Sequence, residues 1–298
     1  MPSLSTIVTA FQNLQDEICQ SLEELDGEGK FAQDLWTMSS GGGGGRTRII
    51  EAAHIEKGGV NFSHVSGTVS DQLKKILKKE GKQYHATGVS IVLHPVNPFV
   101  PIIHMNIRYF EMDDEIWWFG GGIDLTPHYI DDSEAAFLHE SLRSVCDRTD
   151  KAYYSRFKQW ADDYFFIRHR KETRGVGGIF FDRLDQSEGH SKKELFDFVL
   201  GVGQEFTKIY KQLFVKNFQR KYTDDNVAWR NYRRGRYVEF NLVWDRGTRF
   251  GLETGGRTES ILMSLPATAN WIYDYKPEAN SAEAHTQARL KKGVDWIV

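Results

Sequence analysis

The sequence has few cysteines and no excess of positive charge. Only two cysteines, Cys19 and Cys146, occur in 298 residues, both on the apolar sides of predicted helices. A disulfide framework is therefore excluded, and a reducing compartment fits this usage. Lysine and arginine total 38 against 41 aspartates and glutamates, a formal net charge of −3. That balance argues against a general nucleic-acid binder, because neutralising phosphates requires a basic surface.

Targeting and membrane signals are also lacking. No lysine or arginine precedes Lys30, whereas six acidic residues do. Signal peptides begin with positive charge, and mitochondrial leaders are rich in arginine and poor in acids. No apolar run approaches the ~20 residues that a membrane-spanning helix needs. We therefore expect a cytoplasmic protein without a transmembrane segment.

A run of five glycines, Gly41 to Gly45, lacks the features of a phosphate-binding loop. Arg46-Thr47-Arg48 follows it instead of a Lys-Ser/Thr pair, and no helix is predicted after it. Glycine allows close approach because it has no side chain. We expect a loop whose backbone lies close to a ligand or to another backbone.

The most informative segment is Ile102 to Glu111, with the sequence IIHMNIRYFE. Successive side chains of a strand point to opposite faces, so His104, Asn106 and Arg108 share one face. The other face is apolar and holds Ile103, Met105, Ile107 and Tyr109. A row with an imidazole, an amide and a cation, spaced about 7 Å apart, suits a small-molecule site. A solvent-facing sheet edge would give the same pattern.

Periodicity along the rest of the chain indicates an antiparallel sheet covered by helices. Helices are predicted over residues 3–25, 133–148, 151–169, 191–219 and 281–292, with a short polar helix or loop over 71–80. Strands are predicted over residues 46–56, 60–65, 84–94, 102–111, 116–120, 175–182 and 236–246. The strands come in hairpins and runs without βαβ alternation, and no repeat or linker divides the chain. We expect an α+β fold with residues 1–298 in a single domain.

The predicted strand from Tyr237 to Asp245 also has two different faces. Its apolar residues alternate with a polar set made of Glu239, Asn241 and Asp245. Arg257 follows shortly afterwards, beside a pair of glycines. Arginine binds carboxylates through two parallel charge-assisted hydrogen bonds, each contributing about 1.5–3 kcal/mol. These residues suit a substrate that carries carboxylates and needs a proton moved.

Longer motifs cover nearly the whole chain. They include GGGGRTR, EKGGVNFSHV, GVSIVLHPVNPFVPIIHMNIRYFE, WWFGGGIDLTP, RGVGGIFFD and NLVWDRGTRFGLETGGRTESILMSLP. In this order the motifs resemble those of the oxygen-dependent coproporphyrinogen-III oxidase family. Ile102 is a small departure, since many members have threonine there. The organelle-targeting extension of animal and fungal members is also missing, which argues against a mitochondrial location.

The resemblance implies a fold, a reaction and an assembly. The fold would be a large antiparallel β-sheet flanked on both faces by α-helices, in a homodimer whose interface includes residues 237–272. The reaction would be oxidative decarboxylation of the ring A and ring B propionates of coproporphyrinogen III to vinyls, giving protoporphyrinogen IX, CO2 and H2O2. A porphyrinogen is electron-rich and can react with O2 after losing a pyrrole proton. No organic cofactor is therefore expected, with O2 as the co-substrate.

The resemblance also implies site residues. The substrate contacts would be Ser90, Asn106, Ile107, Arg108, Arg174, Gly255, Gly256 and Arg257. The catalytic residues would be His104, Asp124, Asp245 and Arg246. His104 matches the proposed proton donor of the family. We expect Asp245, held by Arg246, to accept pyrrole protons while arginines hold the propionates.

A divalent metal ion is an open alternative. His94, His104, His139 and His169 are candidate ligands, and bacterial members of the family have had these positions assigned to a metal. The spacing offers no short ligand pair such as H-x-x-x-H. Four hydrogen-bonded structural histidines are the competing interpretation.

Two other functions compete with the oxidase. The first is a non-haem metal oxygenase that uses the histidines. The second is a tetrapyrrole-binding or carrier protein without turnover. Product formation from coproporphyrinogen III in air, with and without a chelator, separates the three.

Overall fold

The fold is described from a computed structural model. It describes residues 1–38, 42–71, 74–75, 80–113, 116–253 and 256–297. The chain forms a single α+β domain built on a seven-stranded antiparallel sheet, as the sequence predicts. No helix within these ranges is long and apolar enough to cross a bilayer.

The sheet follows the order of the chain except at its last strand. Its members are β1 Ala32–Thr37, β2 Gly43–Ile50, β3 Ile55–Thr68, β4 Gln83–Pro95, β5 Ile102–Met112, β6 Ile116–Thr126 and β9 Gly177–Leu184. Their spatial order is β1-β2-β3-β4-β5-β6-β9, and every neighbouring pair is antiparallel. Two short strands, β7 Phe166–Ile167 and β8 Glu172–Thr173, form a separate hairpin.

Helices cover both faces of the sheet. The longer ones are α1 Leu4–Asp26, α2 Asp132–Asp147, α3 Tyr153–Tyr164, α4 Lys192–Asn217 and α5 Asp224–Glu239. A π-helix, Phe240–Trp244, directly continues α5, and three short helices follow: α6 Arg246–Glu253, α7 Thr258–Leu262 and α8 Ala282–Arg289. The helix predicted over 151–169 ends earlier, at Tyr164, and most of the segment 71–80 lies outside the described residues.

One face of the sheet forms the main core with α1 and α4. The apolar side chains of β5, from Ile103 to Tyr109, are at most 1% exposed on this face. The stripe of α4 that meets them includes Leu195, Val199 and Phe206. Burying a side chain of this size contributes about 1.5–3 kcal/mol. The core therefore fixes the register of β5 and, with it, the face to which His104 points.

The opposite face is covered only in part. Tyr237 of α5 packs on Val92 and Ile102 at one end of β4 and β5. On the same face, but nearer the β1 edge of the sheet, the Asn61 side chain of β3 donates a hydrogen bond to the Ser260 carbonyl of α7 at 2.9 Å. Between these contacts the open-face residues of β4 and β5 are partly exposed, and the polar row of β5 lies there. The open-face residues of β6 beside it, Gly120, Gly122 and Asp124, are buried.

The predicted strand over 236–246 is wrong. This segment is the end of α5 and the π-helix. The buried residues Tyr237 and Phe240 are three positions apart, which is a helical spacing, whereas Leu242 and Val243 are 45% and 48% exposed. The apparent alternation thus mixes a buried helix face with an exposed apolar surface. The capping box of Thr223 and Asn226, which begins α5, was the missed helix signal.

The glycine run is a strand in its described part, not the predicted loop, although the predicted close approach of another backbone is found. Gly43 to Gly45 form the start of β2, so this strand begins earlier than predicted and pairs with β1, a strand the sequence did not indicate. A Cβ atom on Gly44 would lie 2.0 Å from the backbone oxygen of Trp36. Close backbone approach therefore explains a glycine at this position.

Candidate active site

The polar row of β5 lies on the open face of the sheet. His104, Asn106 and Arg108 are each partly exposed, whereas the intervening residues are buried in the core. Ser90 of β4 is the direct cross-strand partner of Asn106, so its side chain points to the same face. Ile107 faces the core and is fully buried. Only its backbone could therefore take part in a site on the open face.

Glycines surround Arg108 on the neighbouring strands. Gly88 of β4 and Gly120 of β6 are its direct cross-strand partners. A Cβ atom on Gly120 would lie 2.6 Å from Asp182 Oδ1 and 2.8 Å from Arg108 Nε. The absence of a side chain at Gly120 gives the Arg108–Asp182 pair room to lie directly over the sheet.

His104 forms a dyad with Asp124 of β6. The two residues are cross-strand partners, and His104 Nδ1 lies 2.8 Å from Asp124 Oδ1. The carboxylate side chain is 1% exposed, whereas the imidazole is 22% exposed. Burial raises the pKa of the Asp124 carboxyl, but the Arg174 guanidinium and the His104 hydrogen bond together lower it below its usual range. An ionised Asp124 accepts the Nδ1–H of His104, which leaves Nε2 as the acceptor nitrogen.

Arg174 also binds Asp124, and its guanidinium lies beside the His104 ring. Its Nη2 donates to Asp124 Oδ1 at 2.7 Å and its Nε donates to Asp124 Oδ2 at 3.2 Å. Its Nη1 donates to Asn241 Oδ1 of the π-helix at 3.0 Å. The guanidinium lies 4.4 to 4.8 Å from the ring centroids of Phe165, Phe240 and Tyr237. Arg174, expected to contact substrate, is thus a 2% exposed side chain that positions the dyad.

Arg108 is held by two neighbours on the open face. Its Nη1 donates to Asn106 Oδ1 at 3.0 Å, and its Nη2 donates to Asp182 Oδ1 of β9 at 2.8 Å. The Arg108 and Asp182 side chains are 38% and 34% exposed. Asp182 was not singled out from the sequence, although it is the last residue of the motif RGVGGIFFD. Its partner Arg108 lies 74 residues earlier in the chain, so no local pattern links the two.

Asp245 and Arg246 lie at the start of α6, not on a strand. The Asp245 carboxylate accepts the Thr248 backbone N–H at 2.7 Å and the Tyr164 hydroxyl at 2.9 Å. Burial and the adjacent Asp245 raise the pKa of Tyr164, so its hydroxyl remains a donor. The exposed Arg246 guanidinium lies 5.8 Å from the Tyr164 ring centroid. Asp245 therefore acts as a helix cap here, with both oxygens engaged.

Arg257, the arginine after the glycine pair, lies at the β1 edge of the sheet. Arg257 pairs with Asp34 of β1, and its Nη1 lies 3.3 Å from the Ser260 hydroxyl. Four strand spacings separate β1 from β5, which amounts to about 19 Å. Gly256 is exposed, and Gly255 lies outside the described residues. The structure thus does not bring Arg257 together with Arg108.

The four candidate metal ligands have separate partners. His94 Nε2 lies 2.8 Å from the Ser264 carbonyl, and burial lowers the pKa of His94 to about 3. His139 Nε2 lies 3.0 Å from the Val176 carbonyl, and burial lowers its pKa to about 4. Within the described ranges, no three His, Cys, Asp or Glu side chains are grouped to hold a metal ion. These histidines do not form the predicted ligand set.

The fourth histidine, His169, belongs to a cluster around Glu239. His169 Nε2 donates to Glu239 at 2.8 Å, and Arg170 donates to both oxygens of the same carboxylate. Trp244 of the π-helix donates to His169 Nδ1 at 2.9 Å. Burial raises the pKa of Glu239, but Arg170 and His169 outweigh it and lower the value to about 2. The cluster connects the β7–β8 hairpin to the segment that carries Asn241.

The comparison with known families agrees with this arrangement. A family model described as coproporphyrinogen III oxidase matches residues 6–296 of 298, nearly the whole chain. The match includes the His104–Asp124 dyad, the polar row of β5 and the segment that positions Arg174. The chain therefore belongs to the coproporphyrinogen III oxidase family, whose members carry out oxidative decarboxylation in porphyrin biosynthesis.

Proposed function

We propose that this protein is an oxygen-dependent coproporphyrinogen III oxidase that produces protoporphyrinogen IX. The observation that carries the proposal is the His104–Asp124 dyad, backed by buried Arg174 and lying two residues from the Asn106–Arg108 pair on one open sheet face. A proton-transfer group and a carboxylate-binding cation on one sheet face are the combination that a propionate decarboxylation requires.

The reaction balances with O2 as the only oxidant. Each reacting propionate loses its carboxylate as CO2 and a hydrogen from the adjacent β carbon, and a vinyl group remains. The two electrons and two protons that balance each step reduce one O2 to H2O2. The electron-rich porphyrinogen supplies the electrons, so the proposal includes no organic cofactor. No step is assigned to a metal ion, because the candidate histidines do not converge.

His104 is our candidate for the proton transfer. Its Nδ1–H is engaged by Asp124, so Nε2 is the nitrogen that can accept a pyrrole proton. Asp124 holds the tautomer and stabilises the imidazolium, and Arg174 keeps that carboxylate ionised and in place. The expectation that Asp245 accepts the proton stays a prediction. Its engagement with Thr248 and Tyr164 makes it the weaker candidate.

The substrate carboxylates need a cation on the same face. Arg108 is partly exposed, and Asn106 and Asp182 fix the orientation of its guanidinium. Ser90 and Asn106 add neutral polar groups beside it. A propionate held at Arg108, about 14 Å along β5 from His104, would orient the rest of the tetrapyrrole towards the dyad.

The assay is incubation with coproporphyrinogen III in air and without oxygen, following protoporphyrinogen and CO2. The oxidase gives both products only with oxygen and keeps its activity after chelation, with elemental analysis confirming that metal has been removed. A metal oxygenase would stop after chelation. A carrier would bind the substrate and give no product.

We further propose a cytoplasmic homodimer. Leu242, Val243, Phe250 and Leu252, which lie in the π-helix and α6, are 43% to 52% exposed. This apolar surface, the 242–252 patch, falls within the predicted interface 237–272, and a second copy would cover it. Cys19 and Cys146 are buried and unpaired, which is compatible with a reducing compartment.

A further inference from the structure

A β-bulge in β9 faces the site. Phe119 of β6 pairs with Leu184 and Gly121 pairs with Phe181, so two residues of β9, Asp182 and Arg183, lie opposite the single residue between them. Arg183 has a φ of +54°, a left-handed conformation that is rare for residues with a side chain. Bulges of this kind redirect side chains beside active sites, and strained residues concentrate there.

The bulge directs two charged side chains to the same face. Asp182 reaches Arg108, and the Arg183 guanidinium lies 5.8 Å from the Trp118 ring centroid. The flanking residues Phe181 and Leu184 point into the core. In a regular strand Asp182 and Arg183 would point to opposite faces. The extra residue is therefore what places a second guanidinium on the open face.

A row of stacked aromatic rings ends beside Arg183. Tyr84 of β4, Phe110 of β5 and Trp118 of β6 form this aromatic ladder, with ring centroids 5.9 and 4.2 Å apart and interplanar angles of 7° and 20°. All three residues are partly exposed. Phe110 follows Arg108 by two residues, so the aromatic ladder crosses β5 about 7 Å from Arg108 along the strand. It continues the open face beyond the Arg108–Asp182 pair.

We propose that Arg183 and the aromatic ladder form a subsite for a non-reacting carboxylate arm of the tetrapyrrole. The inference rests on the proposed function and names where the arm farthest from His104 is held. The Arg183 side chain is exposed and makes no ion pair within the part of the chain that the structure describes. A guanidinium over Trp118 can bind a carboxylate in two parallel hydrogen bonds, while a pyrrole ring lies on the ladder.

The test is Arg183→Ala, measured with coproporphyrinogen III. Because the bound arm does not react, the interaction is equal in the ground and transition states. KM should rise about tenfold with kcat unchanged. The affinity for coproporphyrin III, the stable oxidised tetracarboxylate, should fall by a similar factor when binding is followed by tryptophan fluorescence quenching.

Two further variants make the test specific. Arg143→Ala removes another exposed arginine that lies over an aromatic ring, 5.5 Å from the Tyr154 centroid on α2 and α3, and should leave both constants unchanged. Arg183→Gly removes the same guanidinium but relieves the left-handed strain, so it should fold at least as well as the wild type and still bind weakly.

The outcomes separate the subsite from the proposed function. Wild-type turnover together with wild-type KM and affinity in Arg183→Ala and Arg183→Gly would overturn the subsite and leave the oxidase assignment intact. A wild-type protein that neither converts coproporphyrinogen III nor binds coproporphyrin III would overturn both. Weak binding in both Arg183 variants but not in Arg143→Ala supports the subsite.

Discussion

Arg174 and Asp124 form an ion pair in which the two side chains are 2% and 1% exposed, with Nη2 and Oδ1 2.7 Å apart. Arg174→Met should leave Asp124 without its guanidinium partner, and breaking such a buried pair costs about 3–5 kcal/mol. The free energy of unfolding from urea titration measures this loss. In the folded variant, kcat should fall more than tenfold, because Asp124 no longer fixes the His104 tautomer.

A control separates this effect from general destabilisation. Glu134 of α2 is also buried, where it binds Asn217 at 2.7 Å and Lys216 at 3.0 Å. Glu134→Gln should lower the free energy of unfolding and leave kcat of the folded protein unchanged. Equal kcat losses in both variants would contradict the positioning role of Arg174.

The cluster around Glu239 should make stability depend on pH. The folded-state pKa of Glu239 is about 2, below the ordinary value of 4.5 for a glutamate. The stabilisation is therefore complete above pH 4.5 and is lost as the pH falls towards 2. Relative to wild type, Glu239→Gln should be less stable by about 2 kcal/mol at pH 7. Urea titrations at pH 7, 4 and 3 should show the difference shrinking, and a constant difference would exclude this origin.

A methyl group at Gly120 should disturb Arg108. The added Cβ would lie 2.6 Å from Asp182 Oδ1, so Gly120→Ala must displace the ion pair. We expect KM for the porphyrinogen to rise several-fold. In Gly201→Ala the nearest atom would be Val145 Cγ1 at 3.7 Å, an ordinary contact, so this helix variant should gain about 0.5–1 kcal/mol of stability with unchanged KM. An unaltered KM in Gly120→Ala would argue against a substrate-binding role for Arg108.

The 242–252 patch should determine the oligomeric state. Leu242→Asp places a charge on the apolar surface and should convert the dimer into a monomer in sedimentation equilibrium. Val215→Asp is the matched control, because Val215 is 55% exposed on α4, outside the predicted interface. A dimer in both variants would place the interface elsewhere, and a monomeric wild type would refute the dimer.

The sequence predicted the polar row of β5, where a local pattern carries the information. Alternation over Ile102 to Glu111 separates an apolar face from a polar row, and the structure buries the apolar face, so the row could be predicted without the fold. The motifs also named Asp124 and Arg174. Their pairing was not predictable, because it joins residues 50 positions apart through the position of the β7–β8 hairpin.

The region after Arg236 shows where periodicity fails. Its apolar residues satisfy a period of two, yet Tyr237 and Phe240 are buried on a helix while Leu242 and Val243 are exposed. A strand and a helix with a second apolar surface give similar short patterns. Asp182 was missed for another reason, since a bulge that redirects a side chain leaves no periodic signal.

The most direct test of the central claim compares wild type with His104→Gln in air-saturated coproporphyrinogen III. The wild-type protein should release two CO2 and form one protoporphyrinogen IX per substrate, with H2O2 produced in the same amount as CO2. His104→Gln should bind coproporphyrin III normally and lose about 100-fold or more in kcat, the contribution typical of general acid–base catalysis. Wild-type protein that binds but gives no CO2, or a variant with undiminished kcat, would contradict the account.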